Sequence, residues 1–167
     1  MNEITFDLSS FDVYADARRE FLWTIGCNHS CRDPLSEFAE RLVCHQLGGT
    51  LAGSRVEKDF DLTTQEGRRV QVKVLSNPKG KWRNEHPVRF TGGMDDYAVA
   101  FFEDIQLQAI IIFKKEGLDK LCSALGKRHP HTETQLLLTQ ANFKALMAKQ
   151  DEFKIYGVQF ITKSSST

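Results

Sequence analysis

The sequence predicts a single α/β domain in which a mixed β-sheet is flanked by helices. Two amphipathic helices come first, then a run of strands, and then helices that alternate with strands, an order typical of this class. The length of 167 residues suits one domain. We expect one domain over residues 1–162, with an N-terminal helix and break in residues 1–30 and the core in residues 33–161.

Two helices are predicted in the N-terminal third of the chain. A 3.6-residue apolar pattern predicts the first over residues 11–25. After a break at residues 26–33, Asp33 as N-cap and Pro34 at the first helical position begin the second helix. Gly48 and its neighbour then end it.

Strands are predicted for most of the remaining chain. The strand patterns cover residues 50–54, 58–64, 68–75, 97–102, 107–113, 135–138 and 155–161. Two further helices are expected at 117–125 and 140–149. Residues 76–94 are polar and contain glycines and prolines, so we expect a long loop, of the kind that is usually functional or mobile. Residues 163–167 are expected to form a disordered tail.

One predicted hairpin gathers polar side chains on one face. Residues 65–67 have the length and the glycine of a three-residue hairpin turn. In that register Asp61 faces Gln71 and Asp59 faces Lys73, on the face opposite to three alternating valines. A loop longer or shorter by one residue would move Asp61 to the valine face. Asp59 is the alternative to Asp61 if the register slips.

The second helix supplies another carboxylate. Its apolar stripe is centred near Phe38 and Ala39, with Glu40 on the flank of the stripe and Glu37 almost opposite it. A flanking carboxylate can reach past the packed interface into a cleft, so Glu40 is the candidate. Glu37 is expected to pair with Arg41 on the surface.

Two carboxylates, an amide and an ammonium group on one surface suit metal-assisted phosphodiester hydrolysis. Mg²⁺ takes oxygen ligands from one or two carboxylates, and it lowers the pKa of a bound water. Lys73 beside that water can orient it or accept its proton. We expect Mg²⁺, replaceable by Mn²⁺, and no small-molecule cofactor. The alternative is that Asp61 and Lys73 form an exposed cross-strand ion pair.

At these residues the chain resembles the PD-(D/E)XK nuclease superfamily, the fold of most type II restriction endonucleases. The pattern reads Glu40, then Phe60-Asp61-Leu62, then Gln71-Val72-Lys73, and the resemblance covers roughly residues 33–161. It implies a restriction-endonuclease-like fold. It implies as catalytic residues Asp61, Gln71, Lys73 and Glu40, and as metal ligands Asp61, Glu40, Gln71 and the Val72 carbonyl.

Gln71 departs from the family pattern, because most members have Asp or Glu there. One negative charge is lost, so metal binding should depend more on Asp61 and Glu40. Some active members also use Gln at this position.

A basic segment suggests a polyanionic partner. Between Arg68 and Phe90 there are seven lysines and arginines but one acid, Glu85, and such a segment attracts nucleic acid unless it is simply a solvated loop. The candidate DNA-contacting residues are Lys79, Lys81, Trp82, Arg83, Arg89, Lys127 and Arg128. Trp82 lies between two cations and could stack on a base, or it could pack on the domain. We expect double-stranded DNA as partner and a homodimer, since one short chain covers one half-site.

The sequence therefore predicts a Mg²⁺-dependent endodeoxyribonuclease, with a type II restriction endonuclease as the favoured kind. Alternatives are a catalytically silent DNA-binding or complex-forming module, and a nuclease acting on branched or damaged DNA. No apolar run approaches the ~18 residues of a membrane span, and the chain start lacks signal-peptide features, so a cytoplasmic location is expected. The four cysteines are unevenly spaced, and we expect buried thiols, not disulfides or zinc ligands.

Overall fold

The centre of the fold is a strand whose side chains alternate between two packed layers. The computed structural model describes residues 8–53, 59–126 and 135–162, and in them the strand Arg69–Asn77 buries Val70 and Val72 on one face and Leu75 on the other. Such alternation is the period-2 signature of a strand covered on both sides. The architecture is one α/β domain with a mixed six-stranded sheet flanked by helices, which confirms the predicted fold class.

The part of the chain that the structure describes contains eight strands, which form two sheets. The large sheet contains, in spatial order, β1 (Thr50–Leu51), β2 (Leu62–Thr63), β3 (Arg69–Asn77), β5 (Asp96–Glu103), β6 (Gln106–Lys114) and β8 (Gln159–Thr162). Strands β3 and β5 are parallel, and all other neighbours in this sheet are antiparallel. The small sheet is an antiparallel pair of β4 (His86–Arg89) and β7 (Gln135–Leu138).

The described residues contain five helices. They are α1 (Leu8–Thr24), α2 (Pro34–Gln46), α3 (Leu118–Leu125), α4 (Gln140–Ala148) and α5 (Gln150–Lys154), with a 3-10 turn at Lys115–Gly117 before α3. Helix α2 begins as predicted, because the Asp33 carboxylate accepts a hydrogen bond of 2.9 Å from Ser36 N. None of the helices in the described part of the chain has both the length and the apolar character needed to cross a membrane.

The layers on the two faces of the large sheet differ. Helix α2 covers one face, where its fully buried Ala39 and Val43 pack with the valines of β3 and with Ala98 and Ala100 of β5. The small sheet and helices α3 to α5 cover the other face, through residues that include Leu121, Leu146 and Phe153. Alanines on β5 leave room for α2 to approach closely.

Several predicted elements need correction. Within residues 59–64 of the strand predicted at 58–64, Leu62–Thr63 alone form a strand, and residue 58 lies outside the described residues. The strand predicted at 155–161 is shorter and ends one residue later, at Gln159–Thr162. The loop predicted at 76–94 is wrong in part, because β3 continues to Asn77 and residues 86–89 form β4. The short helix α5 was not predicted.

The β3–β4 connection has a polar centre. Asn77 is buried, and its Oδ1 accepts hydrogen bonds of 2.8 Å from the backbone N–H groups of both Arg83 and Asn84. This buried amide ties residues 83–84 to the end of β3, and the strand β4 that follows is formed by pairing with β7.

Two other expectations concern the cysteines and the C-terminal end of the chain. Cys27 and Cys122 are buried as expected, but Cys31 is exposed, so the prediction of buried thiols is wrong for that residue. It lies in the turn between α1 and α2, where the chain runs over the surface. The predicted tail at 163–167 lies outside the described residues.

Candidate active site

The register of the β2–β3 hairpin places the predicted polar residues on one face. Leu62 lies opposite Val70, and the backbone N–H of Asp61 donates a hydrogen bond of 2.9 Å to the Val70 carbonyl. Asp61 therefore faces Gln71, which confirms the predicted register. The turn conforms to its sequence signal as well, because Gly67 has φ +80°.

Asp61 stands where β2 stops and leaves one edge of β3 open. Its Oδ2 accepts a hydrogen bond of 2.7 Å from the Val72 N–H and another, very short, from Gln71 Nε2. The side chain thus replaces the missing partner strand at Val72. Because N–H and C=O of one strand residue point to the same edge, the Val72 carbonyl also faces this opening.

The charges around Asp61 are unbalanced. Burial raises the pKa of Asp61 above its ordinary value, although the hydrogen bond from the Val72 N–H opposes this. The negative charge of Glu40 adds to the increase, whereas Lys73 and Arg32 lower the pKa. A further cation beside Asp61 would stabilise its ionised carboxylate, against the effects of burial and of the negative charge on Glu40.

Glu40 lies on α2, on the side of the large sheet opposite to Asp61, and its charge nevertheless acts on Asp61. Its side chain is 2% exposed. Both carboxylate oxygens accept hydrogen bonds from Arg32, one at 3.1 Å from Nη1 and a shorter one from Nη2. The structure thus brings Glu40 toward the open edge of β3, where its carboxylate already forms an ion pair with Arg32.

The prediction for Glu37 is wrong. Glu37 is 1% exposed, not on the surface, and among its contacts are Ser30 Oγ at 2.7 Å and Cys27 Sγ at 3.2 Å. Arg41, its expected partner, donates instead to Cys27 Sγ and to the Gly26 carbonyl. The reason is tertiary: the turn between α1 and α2 folds back over the helix face that the periodicity predicts to be solvated.

Lys73 and Asp59 are not strand partners. Lys73 is exposed on the same face of β3 as Gln71, two residues along the strand. Asp59 lies beyond the end of β2, and its carboxylate approaches Gly93 instead. The predicted opposition of Asp59 and Lys73 is therefore wrong, because β2 is too short to include Asp59.

Two residues near the candidate site were missed by sequence reasoning. Tyr97 lies opposite Gln71 in the parallel register of β3 and β5, and its hydroxyl shares a hydrogen bond of 2.9 Å with His86 Nε2. Burial lowers the pKa of His86, and the charge of Lys73 lowers it further. Burial, together with the charge of Asp61, raises the pKa of Tyr97 to about 12. Both groups are therefore neutral near pH 7.

The strand that carries His86 had a detectable signal. Val88 and Phe90 are buried and alternate with the exposed Pro87 and Arg89. This period-2 alternation within residues 76–94 predicts a strand, although the surrounding glycines and prolines obscure it.

The candidate DNA-contacting residues fall into three groups. Lys79, Lys81, Arg83 and Arg89 are exposed, and Arg89 Nε donates to Gln135 Oε1 at 3.1 Å. Trp82 packs against Phe101 and Phe143, with ring centroids 6.2 and 5.4 Å away. Lys127 and Arg128 lie outside the described residues.

Trp82 contributes to the packed interior more than to the surface. Its indole Nε1 is buried and has no hydrogen-bond partner among the residues that the structure describes. To stack on a base, the ring would have to leave its aromatic neighbours.

The donors that could hold a divalent cation are all oxygens. They are the carboxylates of Asp61 and Glu40, the amide oxygen of Gln71 and the carbonyl of Val72, a set that fits the preference of Mg²⁺ for oxygen and for one or two carboxylates. Within residues 8–53, 59–126 and 135–162, no three His, Cys, Asp or Glu side chains group as a metal site.

Neither the protein-family models nor the curated proteins that we searched include a match to this chain.

Proposed function

We propose that this protein is a Mg²⁺-dependent endodeoxyribonuclease that hydrolyses phosphodiester bonds of DNA. The observation that carries the proposal is the position of Asp61 at the open edge of β3, bonded to Gln71 and Val72 and under the charges of Glu40 and Lys73. Opposite charges and carboxylate, amide and carbonyl oxygens gathered at an open strand edge suit a phosphate and a cation better than they suit stability alone.

The metal ligands of this proposal are Asp61, Glu40, Gln71 and the Val72 carbonyl. Gln71 directs its Nε2 at Asp61, so its amide oxygen is the atom offered to a cation. Bound Mg²⁺ would neutralise phosphate charge and lower the pKa of water. Asp61 has a raised pKa in the free protein, so a positive charge beside it would favour its ionised form.

Lys73 is assigned to the attacking water. Its ammonium group is exposed on the same strand face as Gln71, so a water beside the phosphate could lie within its reach. A lysine there can orient the water or accept its proton, and it can stabilise negative charge that develops on the phosphate.

The DNA would be held beyond the end of β3. The exposed side chains of Lys79, Lys81 and Arg83 follow this strand directly, and Arg89 lies on β4. Contacts of this kind position the duplex through its phosphates and do not select a sequence. Lys127 and Arg128 are proposed as further DNA contacts from the sequence alone, since they lie outside the described residues. Trp82 would join the DNA contacts only if its ring left Phe101 and Phe143. Within the nuclease class we propose a type II restriction endonuclease, a homodimer located in the cytoplasm.

A second candidate function is a DNA-binding module without catalysis. Gln71 favours it, because an amide stands where a second strand carboxylate would otherwise bind the metal, and Arg32 already neutralises Glu40. A protein of this kind would bind DNA through the basic surface and would bind no Mg²⁺.

The test is nicking of supercoiled plasmid in MgCl₂ by the wild type, Asp61→Asn and Lys73→Ala. Both variants should lose at least about 100-fold in rate, in line with losses of catalytic groups. Glu66→Gln in the hairpin turn and Lys120→Ala on α3 are matched exposed controls and should cleave like the wild type. Equal cleavage by all five proteins would exclude the assigned residues. DNA binding without cleavage or Mg²⁺ binding in the wild type would favour the silent module.

A further inference from the structure

Arg32 holds the candidate metal ligand Glu40 in a two-point ion pair. Its Nη1 and Nη2 each donate to a different oxygen of the carboxylate, and Nη1 also lies 3.5 Å from Glu37 Oε1. The Arg32 side chain is 42% exposed, whereas the side chains of both glutamates are 2% exposed. The partly exposed guanidinium of Arg32 is therefore paired with two buried carboxylates, Glu40 and Glu37.

The same guanidinium lies close enough to Asp61 for their charges to interact. Arg32 lowers the pKa of Asp61, whereas Glu40 raises it. Asp61 in turn raises the pKa of Arg32, after larger contributions from Glu40 and Glu37. The charge of Arg32 thus acts on both carboxylates, Asp61 and Glu40, that the proposed function assigns to the metal.

Helix α1 fixes the position of Arg32 through hydrogen bonds to the backbone of the turn before α2. Arg18 Nη2 donates to the Arg32 carbonyl at 2.6 Å and to the Ser30 carbonyl at 3.2 Å. Ser30 Oγ accepts from the Arg32 N–H at 3.1 Å and donates to Glu37 Oε1 at 2.7 Å. The backbone that carries Arg32 is therefore tied both to α1 and to α2.

We infer that Arg32 is a built-in counter-ion of the proposed metal site, which holds Glu40 in the free protein and must release it when a divalent cation binds. This inference rests on the proposed function. It assigns a positioning role to Arg32. It also assigns a role to α1, because Arg18 on α1 anchors the turn that carries the guanidinium.

Electrostatics gives the direction of the effect. A carboxylate whose two oxygens are engaged by a guanidinium must exchange that partner for the metal, and a positive charge near Asp61 repels an incoming Mg²⁺. Removing the charge of Arg32 should therefore tighten metal binding, at the cost of leaving buried carboxylates without this partner.

The experiment is calorimetric titration of the full chain with MgCl₂ and with MnCl₂. Arg32→Gln should bind at least about tenfold more tightly than the wild type, and Arg32→Lys, which keeps the charge, should stay within about threefold. Arg68→Gln is the matched control: Arg68 forms a similar two-point pair with the buried Asp96, at 2.7 and 2.6 Å. Its metal affinity should equal that of the wild type.

A second variant covers the case in which Arg32→Gln does not fold. Arg18→Ala cuts the tie between α1 and the Arg32 backbone without unpairing Glu40, and it should tighten metal binding by about threefold in the same titration. The inference is overturned if neither Arg18→Ala nor a folded Arg32→Gln protein binds the metal more tightly than the wild type. If wild-type metal binding nevertheless depends on Asp61, the proposed function still stands. Absence of metal binding in the wild type and in every variant overturns both.

Discussion

His86 and Tyr97 share a hydrogen bond of 2.9 Å although they belong to different sheets. Tyr97 is on β5 in the centre of the large sheet, and His86 begins β4 in the small one. Their rings are also in contact, with centroids 5.8 Å apart. The bond therefore joins the small sheet to the face of the large sheet that carries Gln71 and Lys73.

Tyr97→Phe should lower the free energy of unfolding by about 1–2 kcal/mol, because it leaves a largely buried His86 nitrogen without this partner. Urea denaturation measures the loss. Tyr156→Phe is the control, since its hydroxyl makes no hydrogen bond within the described residues. Equal stabilities of the two variants would show that the His86–Tyr97 bond contributes nothing.

Stability should fall when the solution is acidified below about pH 6.5, partly because of His86. Burial, with Lys73 nearby, lowers the pKa of His86 from 6.5. The unfolded chain therefore takes up the proton first, so the contribution of neutral His86 is complete above 6.5 and is lost as the pH falls toward the lowered value. His86→Gln should flatten this part of the pH profile of unfolding. The exposed His45, changed to Gln, should leave the profile as it is.

Asp61→Ala and Lys73→Ala should differ in stability. Asp61→Ala removes the acceptor of the Val72 N–H and of the Gln71 amide, with an expected loss of about 1–3 kcal/mol. Lys73 is exposed, so Lys73→Ala should stay within about 0.5 kcal/mol of the wild type. Thermal unfolding of both proteins decides this. A large loss for Lys73→Ala would contradict its placement on the open face.

Trp82→Ala should destabilise the protein by about 3 kcal/mol, because the ring packs against both Phe101 and Phe143. Trp82→Phe should cost less, since it retains a ring and removes an N–H that has no partner within the described residues. Trp23 is 71% exposed, and Trp23→Ala is the control with little expected effect. Similar losses for both alanine variants in urea denaturation would rule out the interior role of Trp82.

The local signals predicted more of this fold than the long-range contacts did. The Asp33-Pro34 start of α2 and the Gly67 turn are set by neighbouring residues, so they could be read directly. The facing of Asp61 and Gln71 follows from the turn length alone. Each of these features depends on chain geometry within about ten residues.

The errors come from contacts between distant parts of the chain. Helical periodicity places Glu37 opposite the apolar stripe, yet the turn from α1 covers it. Strand β4 needs β7, nearly 50 residues later, as its partner. The engagement of Glu40 by Arg32 likewise depends on how the turn before α2 folds back, which neither periodicity nor charge counting reveals.

The continuity of β3 has a consequence for where a bond would be cut. Lys73 and Asn77 belong to one unbroken strand, which separates them by about 13 Å at a rise of ~3.3 Å per residue. That is roughly four base-pair steps of duplex DNA at 3.4 Å each. Under the proposed function, this rigid strand would set most of the distance between the hydrolysed linkage near Lys73 and the first basic residue after the strand, Lys79. The cut would then lie at a constant distance from that phosphate contact.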